Sequence, residues 1–293
     1  MKIYALVFAL LLAAITVSAQ TPSAGVTGRV TDATGAVVPG ATIKITNLDT
    51  NIGQQAVSNG SGDFAVPYLN PARYALEAQA GGFRTYKHEA FMLVVNQTLR
   101  LDIKLEVGAT SETVTITDTP SALNTETGAR GEVTTSAEIA ELPLDGRNFS
   151  DLALLTGGVI PKGDGGDGSF AVNGGRGDNT GFLLDGMNNT QRRNTNVVIN
   201  PPIESIQEFK MLTSGFSAEY GRYSGGMLTA VTKSGTNKFH GSLYEFLRND
   251  IFDAKGYFDP ERLKLRRNQF GATVSGPVRI PKIYDGRNRT FFM

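Results

Sequence analysis

The chain has 293 residues, 28 Lys and Arg against 28 Asp and Glu, two histidines, no cysteine and 34 glycines. Balanced charge excludes a global field suited to nucleic acid or an anionic membrane, and the missing cysteines exclude disulfides, thiolate metal sites and cysteine nucleophiles. Low charge with abundant Gly, Thr, Ser and Asn favours strands and turns over long helices.

Lys2 precedes an apolar run from Ile3 to Val17, followed by Val17-Ser18-Ala19 and Gln20. This is the pattern of a secretory signal peptide with cleavage near Ala19, giving a 1–19 leader. The run is shorter than the ~20 residues of a membrane span. An exported chain without cysteine must hold its core by burial alone. No later stretch is apolar enough for a spanning helix, so any further membrane contact is expected through strands.

Residues 24–107 read as a small antiparallel β-sandwich. Val26, Gly28 and Val30 alternate with Thr27, Arg29 and Thr31, and Ala41, Ile43 and Ile45 alternate with Thr42, Lys44 and Thr46. Phe64, Val66 and Tyr68 are expected inward, as are Tyr74, Leu76 and Ala78, and then Leu99, Leu101, Ile103 and Leu105. Period-two alternation with turns every 8–12 residues carries this assignment. His88 falls here and His240 far away, and each reads as structural or solvated.

Residues 108–135 read as a linker of small and polar residues. Within it, Thr113, Thr115 and Thr117 alternate with Val114 and Ile116. The segment fits either the last strand of the sandwich, an extended linker, or a peptide captured by strand addition.

Residues 136–235 suggest a compact α+β unit with many loops. Ser136 is placed as an N-cap with Glu138 behind it, and Ser150-Asp151 starts a second turn. Ile203, Ile206 and Phe209 stand at helical spacing, and Met227–Val231 forms a short apolar alternation between glycines. Gly163, Gly165 and Gly168 match G-x-G-x-x-G, but the strand-then-helix context of a dinucleotide site is missing. The cluster Arg262, Lys264, Arg266 and Arg267 reads as a solvated loop face.

From residue 236 to 293 the texture changes again. Phe270, Ala272 and Val274 alternate with Gln269, Thr273 and Ser275, an apolar-out pattern of membrane-strand length. "KFHGSLYEFLR" is a less clean partner because Glu245 interrupts its apolar face, and "RTFFM" opens a third segment.

"GRVTDATGAVVPGATIKI" and "SGDFAVPYLNPARYALEAQAGGF" resemble the carboxypeptidase-regulatory-like, transthyretin-type sandwich, often grouped with carbohydrate-binding-like folds. Ala72 stands where that pattern usually has glycine after Pro71. "LPLDGRNFSDLALLTGGV", "NGGRGDNTGFLLDGMNN", "IESIQEFKMLTSGFSAEYGRYSGGMLTAVTKSGTNKFHGSLYEF" and "NQFGATVSGPV" resemble the plug and first barrel strands of a TonB-dependent outer-membrane receptor.

The order of segments is that of the receptor branch with a regulatory-like domain ahead of the plug. The resemblance implies a mostly β chain: sandwich, α+β plug, and the first strands of an incomplete transmembrane β-barrel. It implies transport, with no catalytic residue, metal or cofactor. The ligand stays open, with oligosaccharide or peptide suggested by the branch. It also implies TonB as energy-transducing partner, with outer-membrane lipid contacted through the full barrel.

By position, Glu112, Thr113, Val114, Thr115, Ile116 and Thr117 become the TonB box. Arg222 and Lys233 become plug–barrel contacts, and Arg176, Asp178 and Asn179 a ligand-side loop. Such receptors need about 22 strands, and 57 residues follow Thr236, so the chain is expected to be an N-terminal portion of a longer receptor. The competing expectation is a secreted carbohydrate-binding-like protein without transport activity.

Overall fold

The structure is a computed structural model, and it describes residues 24–116, 127–141, 147–161, 170–191, 193, 196–262 and 264–293. The leader with its cleavage position, Thr117 and the Gly163–Gly168 motif lie outside the described residues.

Two sheets form the sandwich. In one, β1 (Ala24–Asp32) lies between β4 (Asp63–Leu69) and the short β7 (Thr98–Arg100) and β8 (Ile103–Leu105). The other runs β3 (Gly53–Val57), β2 (Thr42–Asn47), β5 (Ala72–Gln79), β6 (Thr85–Leu93) and β9 (Thr113–Ile116). Most pairs are antiparallel, while β1 pairs in parallel with β7 and β8, and β6 with β9. The inward sets meet between the sheets: Val26, Val30, Ala41, Ile43, Ile45, Phe64, Val66, Leu76, Ile103 and Leu105 are buried together. Burial of this apolar area is what offsets the ordering entropy of so many short strands.

Tyr68 departs from the expected inward set. It is 76% exposed, and Leu69 is buried in its place. The pairing of β1 with β4 shifts register between Ala24 and Val26, opposite Leu69 and Val66, and Tyr68 takes φ 59°. One extra residue in the strand turns the alternation over.

Of the segment read as linker, residues 113–116 join the sandwich sheet and residues 130–135 the plug sheet. The plug is built on a five-stranded sheet, β10 (Arg130–Thr135), β15 (Ile206–Ser214), β16 (Gly226–Thr232), β13 (Thr180–Leu184) and β14 (Met187–Asn188). A small ribbon of β11 (Val159–Pro161) and β12 (Phe170–Val172) lies beside it. Helix α1 (Ser136–Glu141) follows β10. Its cap is Thr135 rather than Ser136, because Thr135 donates to the Glu138 carboxylate from both its N–H (2.7 Å) and its hydroxyl (2.9 Å). Phe149–Leu155 forms a 3-10 turn.

The helical spacing at Ile203, Ile206 and Phe209 is overturned. Ile203–Ser205 is a single 3-10 turn and Ile206–Ser214 is strand β15. A register shift between Ile206 and Glu208 against β16 lets two apolar residues three apart both enter the core.

The last segment pairs β17 (His240–Asn249) with β18 (Arg266–Pro277) over ten residues. A small ribbon, β19 (Arg279–Ile280) with β20 (Tyr284–Asp285), follows, and β21 (Phe291–Phe292) returns to the end of β18. Leu243, Phe270 and Val274 share the outward face and are 88%, 77% and 58% exposed. Gln269, Thr273 and Ser275 turn inward and are half-buried. Glu245 is on the outward face, where Asn268 donates to it at 3.0 Å.

Candidate functional site

The residues read as a coupling peptide form the edge of the sandwich. Thr113–Ile116 pair in parallel with Thr85–His88. The Thr85 N–H donates to the Glu112 carbonyl at 2.8 Å, and its hydroxyl to the Thr110 carbonyl at 2.8 Å. Arg84 Nε lies 2.6 Å from the Glu112 carboxylate. The β-branched alternation of Thr113, Val114 and Thr115 suits this pleated position.

A second junction joins sandwich and plug. On β15, Phe209 and Met211 face the plug core, while Glu208 and Lys210 face the other way and are still buried. The turn between β6 and β7 covers them. Val95 N–H donates to Glu208 Oε1. Lys210 Nζ donates to the Val95 and Asn96 carbonyls at 3.3 and 3.0 Å. Asn96 Nδ2 adds a 3.4 Å contact to the Thr229 hydroxyl. Burial raises the Glu208 carboxyl to about 7, opposed by the Val95 N–H and the Lys210 charge. Burial lowers Lys210, opposed by Glu208. A buried turn without secondary-structure partners must find hydrogen bonds somewhere, and this pair supplies them.

A third junction joins plug and barrel strands. Arg147, at φ 54°, makes an ion pair with Glu204 and lays its guanidinium 3.5 Å from the centre of the Phe246 ring on β17. Both charged side chains are largely buried, and a planar guanidinium can serve a carboxylate edge-on and a ring face-on together. Lys233 comes close to the same site: its N–H donates to the Ser205 carbonyl at 2.7 Å. Burial lowers its ammonium pKa, with Glu204 opposing. Arg222 is exposed on the loop before β16. Sequence reasoning picked Lys233 and Arg222 and missed Arg147, Glu204, Glu208 and Lys210. Polar residues at 208 and 210 between apolar 209, 211 and 212 were a usable signal once that segment is read as a strand.

Arg176, Asp178 and Asn179 lie around the 3-10 turn Gly177–Asn179 that leads into β13. The side chains of Arg176 and Asp178 are exposed, and the Asn179 carbonyl accepts from the Gly225 N–H at 2.9 Å. The glycines that follow are packing devices. A Cβ at Gly226 would meet Met211 Cε at 2.7 Å and Val172 Cγ2 at 2.9 Å. One at Gly235 would meet the Phe292 carbonyl at 2.6 Å. Strand β16 therefore sits close against β12 and β15, and its exit close against β21.

Among the described residues there is no cluster of three or more metal-ligating side chains, and no helix long and apolar enough to cross a membrane. The latter says nothing of strands.

A sandwich, a strand-rich plug held to it by a turn, and strands with an apolar outer face succeed one another along the chain. Three family models match in that order: the carboxypeptidase regulatory-like domain over residues 25–106, the TonB-dependent receptor plug domain over 124–227, and an outer membrane beta-barrel domain over 231–293. The three matched segments follow the order expected of a TonB-dependent outer-membrane receptor with a regulatory-like domain ahead of its plug. It is 29% identical over 265 residues to the TonB-dependent transporter Oar of Myxococcus xanthus, covering 84% of this chain and 24% of that protein. The chain therefore spans about a quarter of that relative's length. Among solved structures, the siderophore receptor PirA of Acinetobacter baumannii is 24% identical over 50% of this chain and 22% of its own, with a TM-score of 0.39. Hydroxyquinol 1,2-dioxygenase of Pseudomonas putida is 15% identical over 31% of this chain and 58% of its own, with a TM-score of 0.25.

Proposed function

We propose that the chain serves in energy-coupled uptake across the outer membrane, with an oligosaccharide or peptide as ligand. The observation that carries the reading is a strand-forming segment, Thr113–Ile116, at the edge of the sandwich and ahead in the chain of β10, the edge strand of the plug sheet. TonB is the partner, and it takes this peptide by main-chain pairing, which tolerates side-chain variation and bears load. Force on the peptide reaches the plug through β10.

Arg176, Asp178 and Asn179 then belong to the ligand-facing side, with the exposed charged groups of Arg176 and Asp178 suited to polar ligands. Lys233 and the Arg147–Glu204–Phe246 group hold plug to barrel, and Arg222 contributes from the neighbouring loop. The outer face of β17 and β18 meets lipid, since large apolar side chains alternating with polar ones need an apolar medium on one side only.

Deleting Glu112–Thr117 from the full-length receptor tests the reading. Uptake and capture by the partner's C-terminal domain are both expected to vanish, while insertion in the outer membrane is retained. Undiminished capture by the deletion variant refutes it. Recovery of the full-length protein in the periplasm or medium would instead favour a secreted binding protein.

A further inference from the structure

The coupling peptide is not presented as a loose tether. Its four strand residues are already paired with the sandwich, in register Thr85–Thr113, Tyr86–Val114, Lys87–Thr115 and His88–Ile116. We propose that the β6 edge of the sandwich is the resting dock of this peptide, so that sandwich and energy-transducing partner compete for the same strand. The proposal rests on the reading of Glu112–Thr117 as the coupling peptide.

Backbone geometry decides between competition and simple addition to the outer edge of β9. In a parallel pair, alternate residues turn their N–H and C=O groups toward the neighbour. Thr85 stands opposite Thr113 and donates to the Glu112 carbonyl. Glu112, Val114 and Ile116 therefore turn their backbone to β6, and Thr113 and Thr115 turn theirs outward. Within Thr113–Ile116 only Thr113 and Thr115 offer outward groups, a short grip for a partner strand under load. Capture of the whole peptide requires peeling it from β6.

The dock is built to release. Parallel pairing is the weaker kind, the strand is short, and the Arg84–Glu112 ion pair that fixes its start joins two partly exposed side chains, where such a pair shifts an equilibrium by up to about fivefold. The Thr85 hydroxyl bond to the Thr110 carbonyl lies just before the peptide and orients its entry. The sandwich itself is held to the plug at Val95 and Asn96, away from β9. The peptide can leave while the domain stays.

These 293 residues hold no cysteine, so an introduced pair is the only one within them. Lys87 and Thr115 are paired and both exposed. Adjacent strands run about 4.8 Å apart, within the Cα range of a disulfide. In the full-length receptor, K87C/T115C should lose capture by the partner's C-terminal domain, and uptake with it, when oxidised. Both should return on reduction. R84A should loosen the dock and tighten apparent capture by about threefold or more, because the competent fraction rises.

Equal capture by the oxidised and reduced double variant, with the disulfide verified by mass, overturns the dock. So does R84A capture no tighter than wild type. Loss of capture on deleting Glu112–Thr117 combined with either of those results leaves the coupling reading standing and removes only the dock. Retained capture on deletion removes both.

Discussion

Glu208 and Lys210 stand two apart on one face of β15 and spend their polar atoms on the backbone of the sandwich turn at Val95 and Asn96. Released from that turn, the Glu208 carboxyl would titrate near its ordinary 4.5; docked, it titrates at about 7. The docked state therefore prefers the protonated acid. Docking is strongest below 4.5 and weakens as pH rises toward 7, by up to about 3 kcal/mol over the interval. Lys210 is lowered by burial and acts the other way at alkaline pH, so the window to measure is pH 5 to 7.5. Hydrogen exchange at the Val95 and Asn96 amides should speed up across that window beyond its intrinsic rise. In E208Q, which keeps the acceptor for Val95 and removes the ionisation, the excess should disappear. Slower corrected exchange at pH 7.5 than at pH 5 in wild type would reject this. At the plug–barrel junction, R147A leaves Glu204 largely buried without its guanidinium partner and strips the cation from Phe246. A loss of about 3 kcal/mol in plug stability is expected, with R147K recovering only the charge. Thermal unfolding of the two variants in the full-length receptor orders them, and equal melting of R147A and wild type would rule the junction out as a support.

At the scale of elements, the same alternation rule succeeds and fails for identifiable reasons. Ala41, Ile43 and Ile45 enter the sandwich core as their period demands. Tyr68 does not, because a register shift and a left-handed φ turn the strand over between Val66 and Leu69. Ile206 and Phe209, three apart, mimic a helix only because a bulge separates them. Bulges are tertiary bargains between two strands, and a single segment carries no record of its partner. The segment proposed as the coupling peptide shows the same division. Its strand-forming character is local and legible in Thr113–Ile116, whereas its partner, Thr85–His88, lies in another strand of the sheet and is fixed by edge geometry. The missed groups form sites only after distant segments meet: Glu208 and Lys210 under the sandwich turn laid over β15, and Arg147 with Glu204 against Phe246 of β17. Glycine at 226 was legible as unusual, and packing explains it. G226V would drive a branched side chain into Met211 and Val172. An overpacking cost of about 1–3 kcal/mol should appear as faster exchange along β15 and β16. Unchanged protection there would mean that the close approach is not required.

At the scale of the whole molecule, the order of connections sets the order of release under force. Pull on the chain at Thr117 arrives first at β10, a six-residue strand at the rim of the plug sheet. Among the described residues β10 is paired on one side only, with β15, whereas β15 lies between β10 and β16 and is also pinned by the sandwich turn through Glu208 and Lys210. Loaded at Arg130, the β10–β15 ladder is opened one pair at a time, starting from an end already disturbed by a register shift between Arg130 and Gly131. The next barrier is far higher, because β15 and β16 bury Phe209, Met211, Leu228 and Ala230 in the plug core. With the receptor held through its barrel and a handle at Thr117, the first step in a single-molecule pulling record should therefore be small. The stretch from that handle through Thr135 is about 18 residues, or ~60 Å when extended. A cysteine pair joining Arg130 to Ser214, which face one another at the loaded end of β10 and β15, should remove that step when oxidised and raise the force of the next one. If the plug instead comes out in a single extension several times longer, β10 is not the first element to yield, and coupling would have to act through the sheet as one body.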